Sequence, residues 1–156
     1  MKAIKCIFVG HLRTAYFRDA ALHYLEALRR SFPVEEVIVK DAGQARDVAK
    51  RMRIEGEAIL GKVGPRDFLV ALDERGGQMT SPELAAKLGK WEEDPGAVPC
   101  FVIGGAFGLS GDVKNAARLS WSLGKGTLPH ELARVVLLEQ LYRAASILRG
   151  APYHHQ

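Results

Sequence analysis

Cysteine is scarce in this sequence, with Cys6 and Cys100 the only two among 156 residues. Both lie in apolar, strand-like runs, so they supply neither a disulfide framework nor the ligand spacing of a metal site. The five histidines form no H-E-x-x-H pair and no spaced set with the cysteines. We therefore expect two core thiols in a reducing compartment and no bound metal.

Long hydrophobic runs are also missing. The longest, AIKCIFVG and VPCFVIGG, stop well short of the roughly 18 residues that a membrane-spanning helix needs. No stretch resembles a signal peptide. With 47% hydrophobic residues, the chain is expected to be soluble, cytoplasmic and folded as a single domain over residues 1–156, with no membrane partner.

The glycine-rich stretches match none of the common nucleotide-binding or hydrolase motifs. GGAFG (Gly104–Gly108) lacks the spacing of G-x-G-x-x-G and follows the fourth predicted strand rather than the first. GKGT (Gly124–Thr127) lacks the Lys-Ser or Lys-Thr pair that ends a Walker loop. G-x-S-x-G is absent as well. These absences argue against nicotinamide chemistry, ATP hydrolysis and serine hydrolysis.

Charge is only modestly biased, because 22 basic and 18 acidic residues give a formal net charge of +4. One basic cluster lies on a predicted helix and consists of Arg46, Lys50, Arg51 and Arg53. A second group follows Gly111 and comprises Lys114, Arg118, Lys125, Arg134, Arg143 and Arg149. This distribution allows a nucleic-acid partner, but charge alone favours an ordinary solvated surface.

Strand and helix patterns alternate along the whole chain. Short apolar runs rich in β-formers predict strands at Ile4–Gly10, Val34–Lys40, Asp67–Asp73, Val98–Gly105 and Leu119–Leu123. Helical spacing predicts helices at Tyr16–Phe32, Ala42–Leu60, Ser81–Trp91, Asp112–Leu119 and His130–Arg149, with Ser81 as an N-cap before Pro82. This order predicts an α/β fold with a mainly parallel sheet of five to six strands and helices on both faces.

Three successive strand-to-helix loops contain glycine: Gly76 and Gly77, Gly104–Gly108, and Gly124 with Gly126. Ligands of parallel sheets bind beyond the carboxyl ends of the strands, where these loops meet. Glycine lets the backbone approach a ligand closely, although a tight turn alone explains any single loop. The three loops together indicate a small-molecule site.

The final predicted helix is apolar around most of its circumference, whereas a helix with one wet face shows a stripe. Its apolar residues include Leu132, Val135, Val136, Leu137, Leu138, Leu141, Ile147 and Leu148. One side can face the sheet, and the other is expected to face a second subunit. An enclosed core helix is the alternative.

Several longer motifs carry a family resemblance. The segments are LDERG (Leu72–Gly76), IGGAFGLS (Ile103–Ser110) and the C-terminal run SWSLGKGTLPHELARVVLLEQLYRAASILRGAPYHHQ. They resemble the RlmH family, SPOUT-class methyltransferases of 23S rRNA, and the similarity extends over essentially the whole chain. The resemblance implies a SPOUT fold with a C-terminal trefoil knot, a homodimer and S-adenosylmethionine as cofactor.

The resemblance also implies which residues bind the cofactor. Matching the family motifs position by position gives Leu72, Gly105, Gly124, Lys125, Gly126, Thr127, Leu128 and Pro129. Because the sulfonium of S-adenosylmethionine is cationic, we expect the Lys125 side chain to point outward, towards RNA phosphate.

The implied reaction is methyl transfer to N3 of a pseudouridine in 23S rRNA on the assembled ribosome. Tyr153 and His154 match the terminal motif of the family, and we expect them to place the substrate or handle its proton. His155 stands where the family usually has arginine, so its charge near neutral pH is only partial. We name all three as the candidate catalytic residues.

Some features leave alternatives open. Arg134 and Arg143 are either site cations or structural partners of Glu131 and Glu139. Ala106-Phe107 replaces the usual Pro-Glu of the family, which changes the glycine loop. The alternative function is a catalytically weakened, dimeric ribosome-binding factor that retains the cofactor pocket.

Overall fold

The computed structural model describes residues 3–155, in which five strands alternate with five helices. The strands are β1 (Ile4–Val9), β2 (Val34–Val39), β3 (Asp67–Gly77), β4 (Val98–Ile103) and β5 (Leu119–Trp121). The helices are α1 (Ala15–Arg29), α2 (Val48–Leu60), α3 (Ser81–Glu93), α4 (Gly111–Ala116) and α5 (His130–Arg149).

The five strands form one sheet in the order β2-β1-β4-β3-β5, and every neighbouring pair is parallel. In the register, Ile7 of β1 lies opposite Val37 of β2 on one side and Val102 of β4 on the other. Because all strands point the same way, their carboxyl ends lie at one edge of the sheet. The predicted parallel sheet is confirmed.

Helices cover both faces of the sheet. Phe8 of β1 packs in a cluster with Leu28 of α1, Leu84 of α3 and Leu137 of α5. The next residue back along β1, Ile7, packs on the opposite face in a cluster that includes Ile59 of α2 and Val113 of α4. Successive strand residues point to opposite faces, so one run of apolar residues supplies both layers of the core.

Helix α5 lies between α1 and α3 on its face of the sheet. Its buried residues are Arg134, Val135, Leu137, Leu138, Leu141, Ala144, Ala145 and Ser146. Packing within one chain thus accounts for much of the apolar circumference, as the enclosed-helix alternative expects. The homodimer stays a prediction, and so does the trefoil knot.

Several predicted boundaries are wrong. Helix α2 begins at Val48 rather than Ala42, because Asp47 caps it by accepting the N–H of Ala49 at 3.2 Å. The N-cap of α3 is Thr80 rather than Ser81.

The remaining differences lie around the third and fifth strands. Strand β3 continues through the predicted loop to Gly77, and α4 ends at Ala116 instead of Leu119. Leu119 pairs with Val70 of β3 and so belongs to the sheet. Within residues 3–155, no helix is long and apolar enough to cross a membrane.

Candidate cofactor cavity

A cavity of about 800 Å³ opens at the carboxyl ends of β3, β4 and β5. It is lined mainly by the three glycine-containing loops, and its walls include Leu72, Asp73, Glu74, Ile103, Gly104, Gly105, Phe107, Leu109, Lys114, Trp121, Leu123, Gly124, Gly126, Thr127, Leu128, Pro129, His130 and Ala133. Both the size and the mixture of apolar side chains with exposed backbone are typical of a small-molecule site.

The loop after β4 forms a tight turn at the cavity rim. The N–H of Gly108 donates to the carbonyl of Gly105 at 3.0 Å, and the two residues form an isolated bridge. Gly108 has a φ of +84°, a conformation that residues with a side chain rarely adopt. The turn places Ala106 and Phe107 at its tip, and Phe107 is 48% exposed.

The end of β3 is held against β5 and the residue that follows it by close backbone contact. A Cβ atom at Gly76 would lie 2.6 Å from the carbonyl carbon of Ser120, so only glycine fits here. The N–H of Ser122 donates to the carbonyl of Gly77 at 2.8 Å. These contacts join the end of β3 and the segment that follows β5 into one wall of the cavity.

Side chains close the same wall and balance its charge. The hydroxyl of Thr127 donates to Glu74 Oε2 at 2.6 Å across the cavity mouth. The ammonium of Lys114 lies 3.5 Å from Asp73 Oδ2, so this pair carries no net charge. The cavity therefore offers backbone groups, apolar walls and paired charges to a ligand.

Comparison with known proteins identifies the family. The model described as "Predicted SPOUT methyltransferase" matches residues 1–154 of this chain.

The chain belongs to the SPOUT methyltransferase family.

Relatives and solved structures agree with this assignment. The "Ribosomal RNA large subunit methyltransferase H" of Solidesulfovibrio magneticus is 57% identical over 99% of this chain and 100% of its own length. The protein with the same name from Maridesulfovibrio salexigens is 53% identical over 99% of both chains. The resemblance inferred from the sequence is thereby confirmed.

A solved structure supports the fold alone. A probable methylase family protein from Haemophilus influenzae is 12% identical and superimposes with a TM-score of 0.56, covering 98% of this chain and 70% of its own. As a member of the SPOUT methyltransferase family, the 156-residue chain is itself an enzyme that needs a methyl donor.

In this SPOUT methyltransferase, seven of the eight residues predicted to bind the cofactor line the cavity. They are Leu72, Gly105, Gly124, Gly126, Thr127, Leu128 and Pro129. Lys125 is exposed and is not among the lining residues, in keeping with the outward direction expected from its charge. Cofactor binding by the seven stays a prediction.

The predicted catalytic tyrosine lies away from this cavity. Tyr153 donates its hydroxyl to Glu139 Oε1 at 3.1 Å, and its ring centroid is 4.4 Å from that of Tyr142. The residue of α5 nearest to Tyr142 that lines the cavity is Ala133, nine residues earlier on the helix, which is about 13.5 Å at 1.5 Å per residue. The tail and the cavity of one chain are therefore separate.

The two terminal histidines differ in their surroundings. His154 Nδ1 lies 3.3 Å from Arg143 Nη1, and the Arg143 guanidinium covers the ring of Tyr153 at 4.6 Å. Arg143 also forms an i,i+4 ion pair with Glu139 at 2.6 Å, which is the structural partnership that the spacing allowed. His155 is exposed. This cluster holds the tail on the second half of α5.

The tyrosine hydroxyl of the tail is a weak acid in this position. Burial, together with the negative charge of Glu139 and the hydrogen bond to it, raises the pKa of Tyr153 to about 12. Tyr153 is therefore a neutral phenol at physiological pH, and it can donate a hydrogen bond but does not supply a phenolate base.

Arg134 is buried on α5, with 4% of its surface exposed. Its Nη2 donates to the carbonyls of Val9 at 3.2 Å and Gly10 at 2.8 Å, and its guanidinium lies 4.5 Å from the Phe8 ring centroid. Burial lowers the pKa of Arg134, because it disfavours the charged form. Arg134 thus attaches α5 to the carboxyl end of β1.

Within residues 3–155, no salt bridge joins Arg134 to Glu131. Glu131 Oε1 instead accepts the backbone N–H groups of Arg13 and Thr14. These hydrogen bonds lower the pKa of Glu131, since they stabilise its ionised form. Glu131 therefore positions the loop after β1 against the start of α5.

A second cavity of about 700 Å³ lies beside the first, at the carboxyl ends of β1 and β2. The two share Gly105, Ala106 and His130 in their walls. The second cavity is strongly polar and includes His11, Arg13, Asp41, Arg51, Glu55 and Glu131. The sequence does not predict this second cavity, because the segments that form its walls share no motif.

Buried Glu55 illustrates how the second cavity is built. The carboxylate, 5% exposed, accepts the N–H of Ala42 at 2.8 Å through Oε2. Its other oxygen would lie 2.7 Å from a Cβ at Gly105, so the glycine leaves room for it. An acidic residue within an apolar helical pattern was the one available signal for this position.

The two thiols take no part in either cavity. Cys6 and Cys100 are both free and buried in the sheet, and burial raises the pKa of each, that of Cys100 to about 12. Both are therefore unreactive core residues, as the sequence predicts. Among residues 3–155, no group of three or more His, Cys, Asp or Glu side chains is placed to hold a metal ion.

Proposed function

We propose that this protein is an S-adenosylmethionine-dependent methyltransferase that modifies N3 of a pseudouridine in 23S rRNA, on assembled ribosomes in the cytoplasm. The observation that carries the proposal is the full-length similarity, 53–57% identical, to two proteins named as large-subunit rRNA methyltransferases. Because the similarity covers 99% of the chain, it includes the three loops, α5 and the terminal tail.

The first cavity suits S-adenosylmethionine. Leu72 and Leu128 offer apolar contacts to an adenine ring, while the loop at Gly105 and the segment from Gly124 to Pro129 offer backbone groups. The cationic ligand meets no excess of positive charge, because Asp73 and Glu74 balance Arg75 and Lys114 in the lining and Lys125 lies outside it. When bound, the sulfonium supplies the activated methyl group.

The residues of this chain then have to align the base and remove its N3 proton. Orientation of the acceptor nitrogen lowers the entropic part of the barrier. Tyr153, as a neutral phenol, would donate a hydrogen bond to a carbonyl oxygen of the base. His154 and His155 are the tail groups whose imidazole nitrogens would accept the N3 proton.

These roles require a second subunit. Within one chain the tail packs on Tyr142, about 13.5 Å along α5 from Ala133 in the cavity lining. A homodimer in which the tail of one subunit reaches the cavity of its partner brings the two sets of residues together. Symmetry then produces two such composite sites from one interface.

Nucleoside mass spectrometry of rRNA tests the proposed reaction. A strain lacking the gene and the same strain carrying it on a plasmid supply ribosomes for analysis. We expect 3-methylpseudouridine to be absent in the first and restored in the second, and purified protein with S-adenosylmethionine to restore it on ribosomes from the deletion strain. An unchanged level of 3-methylpseudouridine after deletion would contradict the proposal.

A further inference from the structure

Phe107 is an exposed aromatic side chain beside the methyl-transfer cavity. It stands at the tip of the Gly105–Gly108 turn, lines the cavity and remains 48% exposed. The hydrogen bond between Gly105 and Gly108 and the isolated bridge between them fix the backbone of this turn. The ring is therefore presented to solvent on a defined support, so little conformational entropy is lost when a ligand contacts it.

Arg51 covers one side of the Phe107 ring. Its guanidinium carbon lies 4.9 Å from the ring centroid, a cation–π distance, and Arg51 itself lines the second cavity. No carboxylate within residues 3–155 forms a salt bridge with Arg51. An arginine carries five N–H donors arranged to match phosphate oxygens. The pair thus combines a flat apolar surface with a guanidinium that has no salt bridge, in a cavity that Asp41 and Glu55 also line.

Further positive charge continues from this pair along α2. Lys50 and Arg53 are three residues apart on the helix, Arg46 lies just before its N-cap, and all three are exposed. Among the described part of the chain, none of the three is within salt-bridge distance of a carboxylate. Of the basic cluster noted in the sequence, Arg51 thus contacts the aromatic ring, and the other three lie within five residues of Arg51 along the chain.

We propose that Phe107 and Arg51 form a stacking platform for an unpaired base of the RNA substrate, next to the nucleotide that is methylated. Arg46, Lys50 and Arg53 then bind the phosphates that flank this base. The inference rests on the proposed function, since it assigns a contact surface for the same rRNA substrate.

The chemistry of the surface fits single-stranded RNA. Unpaired bases are commonly held by stacking on aromatic rings or guanidinium planes, while basic side chains follow the backbone. Stacking tolerates any base, because every base has a π-face. A loop nucleotide beside the target can therefore anchor the RNA while the target enters the cavity.

Three substitutions of Phe107 test the stacking. KM for ribosomes from a deletion strain is measured at saturating S-adenosylmethionine for Phe107→Ala, Phe107→Leu and Phe107→Trp. Loss of one stacked base corresponds to about a 5- to 150-fold weaker interaction, and we expect a KM increase of this order for Phe107→Ala. We expect Phe107→Trp to match wild type, and Phe107→Leu to resemble Phe107→Ala because it keeps apolar bulk without a π-system.

A separate measurement distinguishes stacking from a role in holding the cofactor. Calorimetry gives the Kd for S-adenosylmethionine in each variant without RNA, and we expect it to stay at the wild-type value. Wild-type KM for Phe107→Leu would overturn the platform. So would a rise in the cofactor Kd of Phe107→Ala with no change in KM, since it would assign Phe107 to the cofactor site.

A matched pair of double variants tests the phosphate contacts. Lys50→Gln with Arg53→Gln removes two positive charges from α2, and Lys87→Gln with Lys90→Gln removes two from α3 on the opposite face of the sheet. Affinity for ribosomes is measured against salt concentration. We expect the first pair alone to reduce the slope of log affinity against log salt by about 1 to 2. Equal slopes for the two double variants would overturn the proposed phosphate contacts.

The outcomes separate the inference from the proposed function. A wild-type protein that methylates ribosomes, with Phe107→Leu and the α2 double variant unchanged, overturns the platform and leaves the methyltransferase activity on rRNA intact. A wild-type protein that transfers no methyl group to rRNA overturns the proposed function and the platform with it.

Discussion

Gly76 lies where β3 passes closest to β5 beneath the cavity wall. A Cβ at this position would stand 2.6 Å from both the carbonyl carbon and oxygen of Ser120 and 2.8 Å from the nitrogen of Trp121. These are backbone atoms, so the strands must separate to admit a methyl group. We expect Gly76→Ala to lower the free energy of unfolding by about 1–3 kcal/mol, measured by urea titration.

Gly111 supplies the control for this substitution. It is the first residue of α4, and a Cβ there would have no atom within 4 Å. We expect Gly111→Ala to leave stability unchanged or to raise it by up to about 1 kcal/mol, because alanine favours a helix. Equal destabilisation by both substitutions would show that the strand contact at Gly76 is not the cause.

At the scale of single residues, the sequence predicts where the cavity lies better than it predicts which side chains form hydrogen bonds there. Glycine content locates the three loops because glycine is required locally, for instance by the positive φ of Gly108. The hydrogen bond from Thr127 to Glu74 joins residues 53 apart, and no local pattern indicates it. The sequence likewise predicts Arg51 only as part of a basic cluster, since its contact with Phe107 depends on a loop that folds against α2.

Among the helices, α3 has the most complete N-terminal cap. Thr80 Oγ1 accepts the N–H of Glu83 at 3.2 Å, and Glu83 Oε2 accepts the N–H of Thr80 at 2.7 Å, which is a capping box. We expect Thr80→Ala to lower the free energy of unfolding by about 1 kcal/mol, measured by chemical denaturation. Thr80→Ser keeps the hydroxyl and should retain most of this energy. If alanine and serine have the same effect, the cap does not stabilise α3.

The element boundaries show which signals are local. The bounds of α5 were predicted correctly, because Pro129 precedes it and Gly150 follows it in a left-handed conformation. The start of α2 was predicted six residues early, since helical spacing continues upstream of the Asp47 cap. The end of α4 was misjudged at Leu119, whose strand partner Val70 is distant in sequence.

At the scale of the whole molecule, strand order and the path of the tail depend on contacts between distant segments. The alternation of elements predicts a parallel sheet but does not predict that β5 lies beside β3 at the edge. The same limit applies to the tail. The family resemblance groups Tyr153 with the cofactor residues, whereas in one chain Tyr153 packs on Tyr142 and Glu139. We propose that an assembly of two chains, in which the tail of one reaches the cavity of the other, reconciles these findings.

Mixed dimers test this assembly directly. One subunit carries Leu128→Arg, which places a cation in the wall of the cavity and should abolish binding of a cationic cofactor. The other subunit ends at Pro152 and so lacks the tail. Each variant alone should be inactive as a homodimer, since every site would lack either a working cavity or a tail.

The mixed dimer, purified through two different tags, pairs an intact cavity with an intact tail from the partner at one of its two sites. We therefore expect about half of the wild-type methylation rate on ribosomes, because a two-fold interface contributes two equivalent sites. If each tail served the cavity of its own subunit, both sites of the mixed dimer would be defective and no activity would return. Recovery of activity thus requires that the tail act across the subunit interface.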